Sequence, residues 1–344
     1  MGKTRIAING LGRIGRMVFR KAVSDDSIEL VAVNASYPAE TIAHMLKYDS
    51  IHGKFDGEIQ ALDNSIKVNG KLIALCSTRD PLELPWDEMK IDIVIEATGK
   101  FRTKQEAALH IDAGAKRVII TAPGKEVDAT IVMGVNEETF SPKYHQVISN
   151  ASCTTNCLAP VVKVLEDKFG IENGLMTTVH SFTNDQKNLD NPHKDLRRAR
   201  GCTQSIIPTS TGAAKALGEV IPSLSGKLNG MALRVPTPNV SLVDLVVDLK
   251  TSVTAEQVNQ AFEDVSTNGM KGILEYSTEP LVSIDYTTSP SSAIIDGLST
   301  QVIGERKVKV LAWYDNEWGY SCRVVDLAKY VGSVMKQETT ARVS

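Results

Sequence analysis

The sequence predicts an α/β protein of two domains: a doubly wound parallel sheet, followed by an α+β domain whose sheet is mainly antiparallel. The first domain is indicated by a strand pattern at Arg5–Asn9 (RIAIN), a glycine-rich turn, a helical pattern (RIGRMVFRKAV) and a second strand pattern at Glu29–Asn34 (ELVAVN); together these form a βαβ unit. The second is indicated by a change, after about Ala151, to longer runs that mix alternation with apolar stretches. A length of 344 residues suits two domains.

Later apolar runs continue the first domain, which we assign to residues 1–151. Asp92–Thr98 (DIVIEAT), Arg117–Thr121 (RVIIT) and Gln146–Asn150 (QVISN) each end in small or polar residues. Such runs are typical of parallel strands buried on both faces, and ligands bind these sheets at the carboxyl ends of the strands. The sequence therefore predicts a ligand site along that edge.

Residues 152–318 are expected to form the second domain. Its strand patterns are MALRVPTPNVSLVDLVVDL, PLVSIDY, SAIIDGL and KVKVLAWYD, and TSVTAEQVNQAFEDV has helical spacing. The stretch from Ser181 to Ser205 is polar with little periodicity, and a loop this long inside a compact domain is usually functional. Arg323–Met335 is amphipathic, so we expect a C-terminal helix, residues 319–344, that packs back on the first domain.

Composition argues against several classes of protein. The net charge of −3 gives no reason to expect a nucleic-acid partner. No apolar run approaches the roughly 20 residues needed to cross a membrane, and the N-terminus enters a strand pattern without the features of a signal peptide. The five cysteines are odd in number and scattered, which favours a reducing, cytoplasmic location.

Gly10, Gly12 and Gly15 form a G-x-G-x-x-G pattern between the first strand and the first helix. The first glycine permits a tight turn, the second lets a pyrophosphate approach the backbone, and the third allows close packing of helix on strand. A glycine-rich turn without a ligand is the alternative, but the position in the first βαβ unit favours dinucleotide binding. The acidic residue expected at the end of the second strand is missing, since that strand ends in Asn34, Ala35 and Ser36.

Cys153 lies where a buried-strand pattern ends and a helical pattern begins. Ser152 is expected to cap this helix, and a helix N-terminus lowers the pKa of a thiol because it favours the thiolate. Pro160 fits the helix only near its first turn. Cys157 is four residues on and could share a metal ion with Cys153, but no second half of a four-ligand site exists, so no metal is predicted.

A nucleophilic cysteine needs a base, and the chain has six histidines among which spacing alone cannot choose. His180 ends the apolar run LMTTVH just before the long polar loop, a typical position for a catalytic side chain. A buried histidine at a strand end, without a catalytic role, is the alternative.

The motifs of the chain resemble those of the glyceraldehyde-3-phosphate dehydrogenase family. SNASCTTNCLAP, which contains Cys153, closely resembles the active-site motif of that family. Further similar motifs occur in family order over almost the whole chain: NGLGRIGR, LKYDSIHGKF, EATGKF, PTSTGAAKA, GMALRVPTPNVSLVDL and WYDNEWGYS.

The resemblance implies a Rossmann cofactor domain, a catalytic domain and a homotetramer that converts glyceraldehyde 3-phosphate reversibly to 1,3-bisphosphoglycerate through a thioester. Cys153 matches the nucleophile and His180 its base. The positions around the substrate's own phosphate are matched by Thr183, Asp185, Arg198 and Arg234. The site of the attacking inorganic phosphate is matched by Ser152, Thr154, Thr211 and Gly212. Cofactor contacts are matched by Arg13, Ile14, Arg79, Thr98, Thr121 and, at the nicotinamide, Asn316.

Cofactor choice is where the chain departs from the common pattern of the family. In the family that the chain resembles, NAD-specific members carry an acidic residue directly after the asparagine that ends the second strand. This chain has Ala35 at that position. The repulsion of an NADP 2′-phosphate is then lost, and Ser36 could donate to that phosphate. The segment VNASYPAETIAHMLKYDS resembles the NADP-using, gluconeogenic bacterial branch, so we expect NADP to be preferred over NAD and reduction to be the cellular direction. The alternatives are dual use of both cofactors and an NAD-preferring glycolytic form.

Two other functions compete. A sister enzyme that oxidises erythrose 4-phosphate would use the same cysteine and histidine but no inorganic phosphate, and the intact phosphate-site set argues against it. A binding protein, for RNA or for a surface, could retain the fold alone. The run Arg197, Arg198 and Arg200 would then be an RNA patch, but in a chain of negative net charge a phosphate-binding loop is the better interpretation.

Overall fold

The structure, a computed structural model, describes residues 2–341, which divide into two compact units. One unit comprises the described residues up to Ala151 together with those from Ser321 onward, and the other comprises Ser152–Tyr320. The expected C-terminal helix was to reach residue 344; residues 342–344 lie outside the described residues. No helix among residues 2–341 is long and apolar enough to cross a bilayer.

The first unit is built on a nine-stranded sheet. Its strands, with a two-stranded hairpin formed by β3 and β4, are β1 (Thr4–Asn9), β2 (Ile28–Asn34), β3 (Tyr48–Asp49), β4 (Gly53–Lys54), β5 (Ile59–Leu62), β6 (Ser65–Val68), β7 (Lys71–Cys76), β8 (Ile93–Glu96), β9 (Arg117–Ile120), β10 (Ala129–Thr130) and β11 (Val147–Ser149). Its helices are α1 (Arg13–Val23), α2 (Ala39–Lys47) and α3 (Lys104–Asp112), to which the last helix of the chain is added.

The strand order is β10-β11-β9-β8-β1-β2-β7-β6-β5, parallel from β10 to β7 and antiparallel among β7, β6 and β5. The predicted doubly wound parallel sheet is therefore confirmed. Strand β1 has its neighbours β2 and β8 on opposite sides, so the order reverses there. Asn9 stands level with Asn34 on one side and Glu96 on the other, and a crevice opens at such a reversal.

Strands β3 to β7 were not predicted. Strand β5 alternates between half-buried and exposed residues, and β6 buries only Ile66 and Val68. These strands are too short to predict, because alternation over four residues barely differs from chance.

The last helix, α7 (Trp318–Ala341), begins in the second unit and continues into the first. The Nζ of Lys336 donates to the Gly2 carbonyl oxygen at 2.6 Å and to Thr4 Oγ1 at 2.9 Å. Gly332 permits the close approach to β1, because a Cβ there would lie 2.2 Å from Thr4 Oγ1. The N-terminal strand and the C-terminal helix thus pack together within one unit.

The second unit is built on an eight-stranded, mainly antiparallel sheet, as predicted. Its strands are β12 (Ile171–Ser181), β13 (Ile207–Ser210), β14 (Leu228–Val235), β15 (Ser241–Leu249), β16 (Leu274–Ser277), β17 (Ala293–Asp296), β18 (Gln301–Ile303) and β19 (Lys307–Tyr314). Its helices are α4 (Cys153–Phe169), α5 (Ala213–Val220) and α6 (Ala255–Asn268). The pairs β12–β14 and β16–β17 are parallel.

Two local predictions were wrong or incomplete. PLVSIDY, expected as a strand, contains a short 3₁₀ turn, Ser283–Tyr286. Val282, just before the turn, and Ile284, within it, are exposed, and Asp285 accepts a hydrogen bond from the Val282 backbone N–H. Pro160 lies in the interior of α4 rather than in its first turn. A proline there removes one hydrogen bond of the helix, and the buried surroundings of α4 hold the helix together in compensation.

Candidate active site and cofactor cavity

Helix α4 presents Cys153 as its first residue. Ser152 is in extended conformation and its Oγ accepts the Thr155 backbone N–H at 3.0 Å, so it caps the helix as the sequence predicts. Ala151, just before, has a φ of 54°, a left-handed conformation that is rare for a residue with a Cβ. The turn from β11 into α4 is therefore tight, and strained backbone of this kind clusters at functional sites.

Cys153 contacts His180. The distance from Sγ to the His180 Nε2 is 3.5 Å, and the imidazole is buried with 3% exposure at the end of β12. The Nδ1 of the same ring lies 2.7 Å from the Ser181 carbonyl oxygen. A thiol beside one ring nitrogen, with the other nitrogen oriented by the backbone, is the arrangement required of a nucleophile and its base.

Arg234 lies on the far side of the imidazole. Strands β12 and β14 are parallel neighbours with His180 opposite Arg234, so the two side chains share one face of the sheet. The Arg234 Nη1 is 2.6 Å from His180 Nδ1 and donates to the Ser181 carbonyl oxygen at 3.0 Å. A fixed positive charge therefore stands behind the candidate base.

These surroundings set the protonation of the pair. Burial raises the pKa of the Cys153 thiol, although the charge of Arg234 opposes the rise. Burial, followed by the charge of Arg234, lowers the pKa of His180 from 6.5 to about 3. The expected lowering of the thiol pKa at the helix N-terminus is not found, because burial outweighs it. The site thus holds a neutral thiol beside a neutral imidazole.

Tyr314, at the end of β19, packs against His180 of this pair. Its hydroxyl lies 2.9 Å from both Thr154 Oγ1 and Thr178 Oγ1. Its ring is nearly perpendicular to that of His180, with the two ring centroids 5.9 Å apart. No sequence motif indicated a role for Tyr314 in the site. The alternating pattern of KVKVLAWYD indicates only that this face of β19 is buried.

Arg234 has an unsatisfied donor. Its Nε is buried and makes no hydrogen bond to the described residues. Leaving a buried guanidinium N–H unpaired is costly, so an anion is favoured beside it. Arg198, whose charge also lowers the pKa of His180, is held by Asp185 and by Thr209 Oγ1 at 2.8 Å. Thr183 is placed in the same loop, its backbone N–H donating to Gln186 Oε1 at 3.0 Å.

The residues matched to inorganic phosphate lie at two helix N-termini. Ser152 and Thr154 stand at the start of α4, and Thr211 and Gly212 stand before α5. Gly212 caps α5 without a side-chain hydrogen bond. Helices α4 and α5 pack on each other, and unpaired N–H groups at a helix N-terminus favour an anion.

The first unit contains a cavity of about 760 Å³ at the carboxyl edge of its sheet. Seven of the predicted cofactor residues line it: Gly10, Gly12, Asn34, Ala35, Ser36, Arg79 and Thr98. Gly10 has a φ of 96°. A Cβ added to Gly12 would meet nothing within 4 Å, so the space beside Gly12 at the start of α1 is open. No side chain caps α1. The cavity therefore fits a pyrophosphate-containing cofactor.

The remaining predicted cofactor residues do not line this cavity. Arg13 is ion-paired with Asp49, and Gly15 serves packing, because a Cβ there would lie 1.9 Å from the Gly10 carbonyl oxygen. Ile14 follows Arg13 in α1. The Thr121 Oγ1 donates to the Glu96 carbonyl oxygen at 3.1 Å. Asn316 belongs to the second unit, where its Oδ1 accepts the Ser241 hydroxyl at 2.7 Å.

Residues 2–341 contain no group of three or more His, Cys, Asp or Glu side chains arranged to hold a metal ion. Cys157, which the sequence placed near Cys153, is buried, and its Sγ lies 3.8 Å from the Ala312 carbonyl oxygen.

Comparison with known proteins agrees with this architecture. Residues 4–104 match the glyceraldehyde 3-phosphate dehydrogenase NAD binding domain, and residues 152–316 match the C-terminal domain of the same family. The chain is similar to glyceraldehyde-3-phosphate dehydrogenase 2 of Bacillus subtilis (strain 168), with 68% identity over 334 residues, 97% of this chain and 98% of the relative. It is also similar to proteins of the same name from Staphylococcus epidermidis (strain ATCC 12228 / FDA PCI 1200), with 59% identity over 98% of this chain and 99% of the relative, and Staphylococcus aureus (strain N315), with 58% identity over 99% of both.

Proposed function

Because this chain belongs to the glyceraldehyde-3-phosphate dehydrogenase family and is an NAD(P)-dependent oxidoreductase, we propose that it performs the reversible oxidative phosphorylation of glyceraldehyde 3-phosphate through a thioester on Cys153. The observation that carries the proposal is the contact between Cys153 Sγ and His180 Nε2 at 3.5 Å, with Arg234 behind the imidazole.

The chemistry begins with attack of the Cys153 sulfur on the aldehyde carbon. His180 takes up the thiol proton as the C–S bond forms and returns it to the oxygen, which gives a hemithioacetal. His180 Nε2 then accepts the hydroxyl proton while the carbon loses a hydride. A bound nicotinamide supplies the acceptor for that hydride. The product on Cys153 is a thioester.

Phosphate then completes the reaction. An oxygen of inorganic phosphate attacks the thioester carbon, the C–S bond breaks with its electron pair on sulfur, and 1,3-bisphosphoglycerate leaves. The Cys153 thiolate takes back the proton held on His180, and the proton of the phosphate passes to solvent. Thr154, Ser152, Thr211 and Gly212 are proposed to hold the attacking phosphate by hydroxyl and backbone N–H groups. Arg234 and Arg198, with Thr183, are proposed to hold the phosphate of the substrate, and Asp185 acts through its ion pair with Arg198.

A single-turnover experiment tests the thioester. With aldehyde and oxidised cofactor but no phosphate, we expect a burst of one reduced cofactor per active chain, followed by almost no turnover until phosphate is added. Cys153→Ser should abolish the burst, because an alcohol is a far weaker nucleophile. Steady turnover without phosphate would instead indicate hydrolysis of the acyl group, as in an erythrose-4-phosphate dehydrogenase.

We propose further that NADP is preferred over NAD. The proposal is supported by Ala35, which carries no charge to repel a 2′-phosphate, and by two further residues that line the same cavity, Ser36 and the exposed Arg79. Arg79, which the resemblance assigns to the cofactor, would supply a positive charge that pairs with the additional phosphate. A preference for NADP would suit reduction of the acyl phosphate in the cell, hence gluconeogenesis. Steady-state kcat/KM for both cofactors is the test.

A homotetramer in the cytoplasm completes the proposal. The loop between β12 and β13 exposes Leu189, Leu196 and Ile206 at 79%, 81% and 66%, and exposed apolar side chains concentrated in one loop favour an interface between chains. All five cysteines are free, which agrees with a reducing compartment. Light scattering of the purified protein measures the oligomeric state, and a monomeric mass would contradict the proposal.

A further inference from the structure

Beneath the cofactor cavity, five polar side chains form one buried hydrogen-bonded chain, which we call the Trp86–Asn34 network. In order, its members are Trp86, His110, Glu96, Asn9 and Asn34, with exposures of 0%, 0%, 1%, 2% and 6%. None of them takes part in the chemistry proposed for Cys153. A buried histidine next to a buried glutamate is costly unless every group is paired, so each donor of the network needs an acceptor.

Trp86 determines that direction, because an indole N–H can only donate. Its Nε1 lies 3.0 Å from His110 Nδ1, so Nδ1 must be the unprotonated nitrogen. The neutral ring then carries its hydrogen on Nε2, which donates to Glu96 Oε2 at 3.1 Å. The tautomer of His110 is therefore selected by Trp86, which is fully buried and does not line the cavity.

The hydrogen bonds of Asn9 and Asn34 have fixed directions as well. Asn9 Nδ2 donates to Glu96 Oε2 at 2.6 Å, so its Oδ1 faces Asn34 and accepts from Asn34 Nδ2 at 2.7 Å. Asn34 Nδ2 also donates to the Thr78 carbonyl oxygen at 2.9 Å, while its Oδ1 accepts the Thr78 backbone N–H at 3.1 Å. Neither amide can be flipped without leaving buried donors face to face.

Glu96 extends the network to a further strand end. Its Oε1 accepts the Thr98 backbone N–H at 2.7 Å and the Thr98 hydroxyl. Asn9, Asn34, Thr78 and Thr98 follow or end β1, β2, β7 and β8, and all four line the cavity. The network thus joins the carboxyl ends of four neighbouring strands, and Thr98 in turn stands against Gly10.

We propose that His110 is a positioning residue for the cofactor: held in one tautomer by Trp86, it orients Glu96 and thereby the asparagine and threonine groups that form the wall of the cavity. The inference rests on the proposed function only in taking this cavity as the cofactor site. In the other tautomer, Nε2 of His110 would be an acceptor, Glu96 would lose a donor, and Asn9, whose Nδ2 lies 3.3 Å from Nε2, could turn its amide away from Glu96.

A matched pair of substitutions tests it. In His110→Gln, the side-chain amide can still donate to Glu96 from near the place of Nε2, whereas in His110→Asn the side chain is too short to reach Glu96. The dissociation constants of NAD and NADP, measured by fluorescence without substrate, should rise about tenfold in His110→Asn and in Trp86→Phe, the effect of one lost oriented hydrogen bond, and at most two- to threefold in His110→Gln. Turnover at saturating cofactor and the alkylation rate of Cys153 should stay near those of the unmodified protein.

Controls separate positioning from general destabilisation. Ile91→Val, in the same apolar cluster as Trp86, should lower the urea midpoint without weakening either cofactor. Equal losses of affinity in His110→Gln and His110→Asn, or unchanged affinity in His110→Asn, would overturn the inference, and this pair decides it even if Trp86→Phe fails to fold. Ala35→Asp, measured in parallel, tests whether this cavity holds the cofactor. If Ala35→Asp shifts the ratio of NADP to NAD affinity while His110→Asn binds both cofactors normally, the positioning role of the network is rejected and the cofactor site is retained.

Discussion

The Nη1 of Arg234 lies 2.6 Å from His180 Nδ1, although the same Nδ1 is 2.7 Å from the Ser181 carbonyl oxygen. One ring nitrogen cannot donate to a carbonyl and accept from a guanidinium at once. The position of Arg234 therefore decides whether Nε2, on the side of Cys153, is free to accept a proton. A substrate phosphate that draws the guanidinium toward itself would leave Nδ1–H to Ser181 and Nε2 as the base.

Removal of the Arg234 charge should affect both binding and the base. We expect Arg234→Leu to raise the KM for glyceraldehyde 3-phosphate about 10- to 100-fold, the worth of a charge-assisted contact. Because its charge lowers the pKa of His180, that pKa should rise in the variant. Arg306→Leu, which removes an exposed arginine paired with Glu172, is the control. A normal KM in Arg234→Leu would place the substrate phosphate elsewhere.

Acid should destabilise the protein through His180. The folded pKa of about 3 lies below the value of 6.5 expected when unfolded, so between these values the unfolded chain binds the extra proton. Stability is then fully present above pH 6.5 and is lost as the pH falls, by up to about 1.4 kcal/mol per unit. Carboxylates with a lowered pKa, such as Glu166, act in the same direction but below about pH 4.5.

The window from pH 4.5 to 6.5 therefore isolates the histidine. In His180→Asn, the slope of the unfolding free energy against pH should be smaller there by close to one proton. Urea titrations at several pH values provide the measurement, and parallel curves for both proteins would show that His180 titrates normally. The same variant should lose a factor of about 10²–10⁴ in turnover, the usual contribution of a general base.

Alkylation should identify Cys153 among the five thiols. Cys157, Cys202 and Cys322 are at most 1% exposed, whereas Cys153 and Cys76 are partly exposed. Because burial raises the pKa of Cys153, the rate with iodoacetamide should climb steadily through neutral pH rather than reach a plateau. Peptide mapping should show loss of activity in step with modification of Cys153, and Cys76→Ser should change neither. Labelling elsewhere with full loss of activity would be contrary to the proposal.

Cofactor selectivity should respond to two residues of the cavity. Ala35→Asp is expected to reverse the preference toward NAD, because a carboxylate repels a 2′-phosphate and accepts from the ribose hydroxyls. Arg79→Leu should reduce kcat/KM for NADP by about tenfold and change that for NAD less. Neither should alter the alkylation of Cys153. A clear preference for NAD in the unmodified protein would reject the argument from Ala35.

Local patterns predicted what depends on neighbours in sequence. The cap at Ser152, the turn at Gly10 and the strand that ends in Asn34 follow from a few adjacent residues. The contact of His180 with Arg234 depends instead on the parallel register of β12 and β14, and that of Thr154 with Tyr314 joins residues 160 positions apart. Such pairings arise from tertiary packing, which periodicity does not report.

The pKa of the Cys153 thiol also depends on tertiary packing, which the sequence does not report. A helix N-terminus can be read from the sequence, and its effect on an anion has a known sign. The degree of burial around Cys153 cannot be read from the sequence, and burial is what raises the pKa of its thiol. The network under the cavity also escaped prediction, because Trp86 and His110 lie outside any motif and their roles depend on which atoms face each other.

The path of α7 has a consequence for biosynthesis. Residues Ser152–Tyr320 form a unit that is continuous in the chain, whereas the unit that carries the cofactor cavity is completed only by residues from Ser321 onward. On the ribosome, the middle of the chain can therefore fold before the unit whose synthesis began first, since domains fold as units during translation. Until α7 emerges, the surface that will receive Val324, Leu327 and Val331, all fully buried at the end, stays open to solvent. The nascent N-terminal segment thus keeps apolar surface exposed until the end of the chain has been made.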